Sequence, residues 1–168
     1  ISEIITSANN VRGIDIGTGS INGSIKRNLI FNIGYNSTSG YGGKAINVET
    51  GSSTSALTIS NNVIYGITGD GWSNANITDQ IVGIRLNTVG GINIYNNSIY
   101  LGSGSFSGNS SGTLSAALYI TSGCTNLDVR NNIFASNLEN SAAASAKTYG
   151  IYCSSANTAF SSIDYNIY

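Results

Sequence analysis

Eight carboxylates, seven Lys and Arg side chains, two thiols and no histidine make up the reactive inventory of this chain. The acids are Glu3, Asp15, Glu49, Asp70, Asp79, Asp128, Glu139 and Asp164. Without imidazole, a Ser or Cys triad that needs His as its base is ruled out. Two carboxylates facing one bond could hydrolyse a glycoside, and several converging on one point could hold Ca²⁺. The best-spaced set is Asp128 and Arg130 on one strand, with Asp164 one repeat beyond Arg130. Asp70-Gly-Trp72-Ser-Asn with Asp79 is the other place a cation could sit, although its spacing is not that of an EF-hand loop. No cofactor other than Ca²⁺ at such a site is expected. Cys124 and Cys153 make neither a disulfide framework nor a metal site, and both are expected to be reduced.

The elements that carry these residues follow from an internal repeat. Five segments share one pattern: Ile25-Lys-Arg-Asn28-Leu-Ile30, Ile59-Ser-Asn-Asn62-Val-Ile64, Ile94-Tyr-Asn-Asn97-Ser-Ile99, Val129-Arg-Asn-Asn132-Ile-Phe134 and Ile163-Asp-Tyr-Asn166-Ile-Tyr168. The aligned Asn steps by 34, 35, 35 and 34 residues. A second pattern precedes each: Ile14-x-Ile16, Ile46-x-Val48, Ile84-x-Leu86, Leu118-x-Ile120 and Ile151-x-Cys153, each after a Gly or Ala. Within a unit, apolar and polar residues alternate with period two, the mark of a strand with one face inward. Only Ser141 to Lys147, rich in Ala, could form a helical turn.

Short strands in repeats of this length, without helical crossovers, exclude leucine-rich and ankyrin arrays. The predicted fold is all-β: a right-handed, single-stranded parallel β-helix of about five rungs, one domain over residues 1–168. The first Asn of each pair suits a left-handed bend, which Asn tolerates better than other side chains with a Cβ. Asn28, Asn62, Asn97, Asn132 and Asn166 need a second reason. Stacked one rung apart, their amides can hydrogen-bond as a ladder, so their expected role is structural.

Composition narrows the partners. Charged residues are 9% of the chain and the net charge is −1, with the cations scattered, so nucleic acid is not an expected partner. No apolar run is long enough to span a membrane as a helix. The chain has no Met and no signal peptide, and reads as a piece of a longer protein. It has no Pro, in keeping with many central strands.

Binding residues are sought on the outside. Outward positions carry Phe31, Tyr65 and Tyr100 in one column, Asp15, Asn47, Arg85, Tyr119 and Tyr152 in another, and Trp72 in a loop. Tyr65, Tyr100, Tyr119, Tyr152 and Trp72 are the candidate carbohydrate contacts, because aromatic faces stack on sugar rings. Stacking between rungs is the competing use of the same rings. The charged column, with Glu49 near Arg85, reads as a solvated face. Long loops near 32–44, 66–82, 101–116 and 135–149 crowd one side. Asn22, Asn36, Asn76, Asn96 and Asn109 lie in glycosylation-type sequons.

The units Asn61-Asn-Val-Ile, Asn96-Asn-Ser-Ile and Asn131-Asn-Ile-Phe resemble the parallel β-helix repeat of the pectate lyase-like superfamily. They particularly resemble repeats of large secreted and surface proteins of Bacteroidetes-type bacteria. That resemblance implies an extracellular or cell-surface location. It leaves activity open, since the superfamily includes lyases, hydrolases, adhesins and non-catalytic spacers. The leading expectation is a non-catalytic surface scaffold, adhesin-like, contacting polysaccharide or cell-surface glycan. The alternative is a fragment of a polysaccharide lyase or glycoside hydrolase acting on polyuronides. A third is end-to-end stacking, against flanking rungs of the parent chain or another copy.

Overall fold

The computed structural model describes residues 1–38, 40–70, 80–102, 114–142 and 146–168, with the backbone of 105–106. β1 (Ser2–Thr6), β2 (Arg12–Ile16) and β3 (Ser24–Lys26) form the first circuit. β4 (Leu29–Tyr35), β5 (Lys44–Val48) and β6 (Leu57–Ser60) form the second, and β7 (Val63–Thr68), β8 (Ile81–Leu86) and β9 (Gly90–Tyr95) the third. The fourth holds β10 (Ser98–Leu101), the short β11 (Ser105–Phe106), β12 (Leu114–Ile120) and β13 (Thr125–Arg130). The fifth holds β14 (Ile133–Ser136), the short β15 (Glu139–Asn140), β16 (Lys147–Cys153) and β17 (Phe160–Asp164).

Every pairing between these strands is parallel, and it joins a strand to its counterpart one circuit away. The first sheet runs β1-β4-β7-β10-β14, the second β2-β5-β8-β12-β16, and the third β3-β6-β9-β13-β17. The molecule is therefore a β-solenoid with three faces. The register is the one the repeat demands: Ile25 opposite Ile59, Ile59 opposite Ile94, Ile94 opposite Val129, Val129 opposite Ile163. One bulge interrupts it, between Leu127 and Asp128 against β17.

Stacked columns make the core. Ile30, Ile64, Ile99 and Phe134 line the first sheet inside, and Ile46, Ile84 and Leu118 the second. The residue before each Ile14-type position stays small because it sits at an inner corner. A Cβ on Gly83 would lie 2.5 Å from the Ala117 carbonyl oxygen and 2.6 Å from Ile99 Cγ2.

The bend from third sheet to first repeats one backbone device. Arg27, Asn61, Asn96, Asn131 and Tyr165 all have positive φ, between 53° and 59°. Asn fills three of these positions, while Arg27 and Tyr165 hold a conformation costly for their side chains. Arg27→Asn is expected to raise stability by about 0.5–1 kcal/mol. A urea-unfolding midpoint that does not rise would contradict this.

The next residue in each circuit forms the ladder. Asn28, Asn62, Asn97 and Asn132 each donate from Nδ2 to Oδ1 of the next Asn, at 2.9–3.0 Å. The same oxygen accepts the backbone N–H of the residue that reaches for it, at 2.9–3.1 Å. The second amide hydrogen of Asn62, Asn97, Asn132 and Asn166 goes back to a carbonyl in the preceding circuit: Ile25, Ile59, Ile94 and Val129. Asn62, Asn97 and Asn132 are buried; the amides of Asn62 and Asn97 each make four hydrogen bonds, the full capacity of the group, and Asn132 Nδ2 adds a shared contact to the Arg130 carbonyl at 3.0 Å.

Candidate functional site

The second sheet places Asp15, Asn47, Arg85, Tyr119 and Tyr152 in one outward column, as the repeat requires. The column is not the solvated face expected of it. Asn47, Arg85 and Tyr119 are buried, as is Lys44 alongside. Long side chains on adjacent rungs, about 4.8 Å apart, lie over one another. In the early circuits they are charged. Arg12 Nη1 lies 2.7 Å from both Asp15 Oδ2 and Glu49 Oε1. Arg85 Nη1 reaches Asn47 Oδ1 at 2.8 Å and Glu49 Oε2 at 3.2 Å. Asn47 Nδ2 donates to Asp15 Oδ1 at 2.7 Å. In the late circuits the cover is aromatic: Tyr119 packs on Val82, Ala116, Tyr149 and Tyr152. Tyr119 therefore offers no open face to a sugar, and burial raises its phenol pKa. Tyr152 is half-buried against it.

Burial alone would raise the Glu49 pKa, but the hydrogen bond and charge of Arg12, with the charge of Arg85, hold it below its ordinary 4.5. A carboxylate depressed in the fold stabilises it above the unfolded pKa, and that stability is lost as pH falls through the folded value. The Tm is therefore expected to hold near neutrality and fall steeply below about pH 4.5, with Glu49→Gln flattening that acid limb. An identical acid limb in the variant would remove Glu49 from the account.

The third sheet brings Asp128 and Arg130 together and adds a partner the sequence did not reveal. Arg130 Nε and Nη2 each lie 2.6 Å from Asp128, a bidentate pair. Tyr95, opposite Arg130 on the neighbouring rung, donates its hydroxyl to Asp128 at 2.6 Å, and the guanidinium sits 5.3 Å from its ring centre. The Arg130 hydrogen bond holds the Asp128 carboxyl below its ordinary value. Asp164 is in register with Arg130, but its carboxylate accepts the Tyr165 N–H at 2.8 Å. Of the charged set Asp128, Arg130 and Asp164, two interlock and the third turns to its own backbone.

The first sheet carries the exposed face. Phe31, Tyr65, Tyr100 and Ala135 form one outward column. Phe31 and Tyr65 stack with centroids 5.2 Å apart and planes 8° from parallel. Their shared faces are covered by each other. Tyr100 instead reaches along its strand, its hydroxyl donating to Asn137 Oδ1 at 3.1 Å and its ring tip resting where a Cβ on Gly102 would go. Two residues before this column stands a second, Leu29, Val63, Ser98 and Ile133, whose apolar members are 48%, 46% and 45% exposed. Sequence reasoning missed it, although parity with the aromatic column was a sufficient signal.

Trp72 and Asp79 lie outside the described residues, as do Asn76 and Asn109. Asp70 is buried, and its Oδ2 accepts the Gly40 N–H at 2.8 Å, a loop-closing role. No group of three acidic, Cys or His side chains spaced for a metal occurs among the described residues. Both cysteines are free. Cys124 is buried with Sγ near the Leu86 carbonyl, while Cys153, on the second sheet's last strand, is only partly covered.

No protein-family model, curated protein or solved structure matches the chain.

Proposed function

We propose that the chain is a non-catalytic β-solenoid module, a rigid surface scaffold of adhesin type that contacts carbohydrate outside the cell. The observation that carries this reading is how the groups capable of chemistry are used. Asp15 and Glu49 are engaged by Arg12, Asp128 by Arg130 and Tyr95, and the Asn amides by one another. A general acid or base must be free to exchange its proton with a substrate near neutral pH. Glu49 and Asp128 are instead held in their charged forms by cations. The first sheet also presents, from β4 to β14, two outward columns without charged side chains, a rigid face suited to adhesion.

A second reading rests on the Arg12–Asp15–Glu49–Arg85 cluster. Both arginines keep a buried Nε–H without an acceptor. The cluster gathers two carboxylates and two arginines, residue types that a centre acting on polyuronides could use, and this is the enzymatic alternative. Incubation of the folded chain with polyuronides and neutral glycans, with product assayed as reducing ends and unsaturated sugar, separates the two. The scaffold reading expects no product. Turnover that disappears in Glu49→Gln and Arg12→Gln would replace it with the enzymatic one.

A further inference from the structure

We infer that the outer face of the first sheet is a binding strip for a neutral polysaccharide chain lying along the solenoid axis. The inference rests on the carbohydrate-contact reading above and names its ligand class and place.

Among the described residues, exposed large apolar side chains are not scattered. Ile1, Ile5 and Ile21 lie in the first circuit and Ile163, Tyr165, Ile167 and Tyr168 at the C-terminal end; the others gather here, Leu29, Val63 and Ile133 in one column and Tyr65 and Tyr100 in the next, with Ile133 on β14, the last strand of the sheet. Phe31, stacked beneath Tyr65, continues the second column. A contiguous exposed apolar patch on a rigid sheet is a mark of an interaction site.

Three properties select the occupant. The first is charge: the two columns hold no charged side chain, since Ser2, Ser98 and Ala135 fill their remaining described positions, and the charges beside them, the Ile1 ammonium on the Leu29 carbonyl and Glu3, lie at the first-circuit end. A polyuronide would bring a row of carboxylates to a strip with no cation in it, and would lose hydration without compensation. The second is size. Two outward residues per rung about 7 Å apart, over a height of about 19 Å, give roughly 250–300 Å² of contact face. A stable protein interface needs about 800 Å² on each partner. The strip is long and narrow, the shape of one linear polymer. The third is backbone valence. β4, β7 and β10 are hydrogen-bonded to a neighbour on both sides, so along its length the strip offers no free edge to a peptide strand, and an edge occurs only at the sheet's ends. Pyranose rings, with apolar C–H faces and hydroxyl rims, meet these conditions. Apolar side chains take the C–H faces, while Ser98 and the Tyr65 and Tyr100 hydroxyls offer polar partners.

The test is pull-down and affinity electrophoresis of the folded 168-residue chain on cellulose, chitin and mannan beside polygalacturonate and alginate. The variants are Val63→Asp and Ile133→Asp on the strip, with Thr58→Asp on the third sheet as a charge-matched control. Circular dichroism establishes that each is folded. The expected result is retention on at least one neutral polymer, unchanged at about 0.5 M salt. Val63→Asp and Ile133→Asp should each weaken it at least tenfold, and Thr58→Asp should leave it intact. Retention on polyuronates alone, lost with salt or with Arg12→Gln but not with Val63→Asp, would overturn this inference while leaving carbohydrate contact standing. Retention on no glycan would overturn both. Self-association abolished by Val63→Asp would overturn it in favour of a second copy on the same face.

Discussion

Replacing Asn97 with Leu is expected to lower stability by about 3–5 kcal/mol, a large share of what holds a domain of this size together. The side chain spans three circuits. It donates to the Ile59 carbonyl on one side and to Asn132 Oδ1 on the other, and its oxygen accepts both the Nδ2 and the backbone N–H of Asn62. Leucine is similar in size and cannot make any of these bonds. It would leave two donors of Asn62 and the Ile59 carbonyl unsatisfied in the interior, each at about 1–3 kcal/mol before relaxation. The same change at Asn28 should cost much less, because that residue is half-buried and ladder bonds form on one side of it. Chemical denaturation of the two variants measures the difference. Equal losses at the two positions would show that the ladder is not a cooperative stack.

Gly83→Val should be nearly as damaging, on the order of 3 kcal/mol, through overpacking rather than lost hydrogen bonds. The added Cβ meets the Ala117 carbonyl oxygen, a backbone atom in the neighbouring rung that cannot move without opening the β8–β12 pairing. A branched side chain adds two methyl groups to a corner already touching Ile99. Gly17 provides the contrast, since nothing lies within 4 Å of a Cβ built there. Gly17→Ala should be neutral, or stabilising by about 0.5 kcal/mol through a less flexible unfolded chain. A calorimetric Tm for Gly83→Val close to that of the parent would mean the rungs can spread at this corner.

Much of the architecture was legible in the residues because a solenoid repeats one local problem. Along the ladder and the adjoining third sheet, position n stacks on position n + 34 or 35, while the second sheet steps by 32, 38, 34 and 33, where the recurring Ile-x-Ile pattern rather than a fixed spacing marks the register. Inward parity then identifies Ile30, Ile64, Ile99 and Phe134 as one core column. The ladder was legible for the same reason: an amide recurring at the rung spacing has one obvious partner. The left-handed residue before it was legible at Asn61, Asn96 and Asn131. At Arg27 and Tyr165 only the backbone reveals it, because the requirement belongs to the bend and not to the side chain.

The outer faces were decided by tertiary structure. Parity tells that Arg85 and Tyr119 point outward, yet both are buried, because neighbouring rungs supply long side chains that cover them. Arg130 had two acids in reach by register, and the bidentate geometry with Asp128, with Tyr95 completing it, left Asp164 to its own backbone. Phe31 and Tyr65 turned their ring faces to each other, which spacing permitted but did not require. The eight carboxylates and seven cations were present in the sequence from the start. Ion pairs at 2.6–3.2 Å, set by side-chain rotamers between rungs, determine that Arg12, Asp15, Glu49 and Arg85 neutralise one another at the second sheet and Asp128 and Arg130 at the third. On the first sheet the two outward columns from Leu29 to Ile133 and from Phe31 to Ala135 carry no charged side chain.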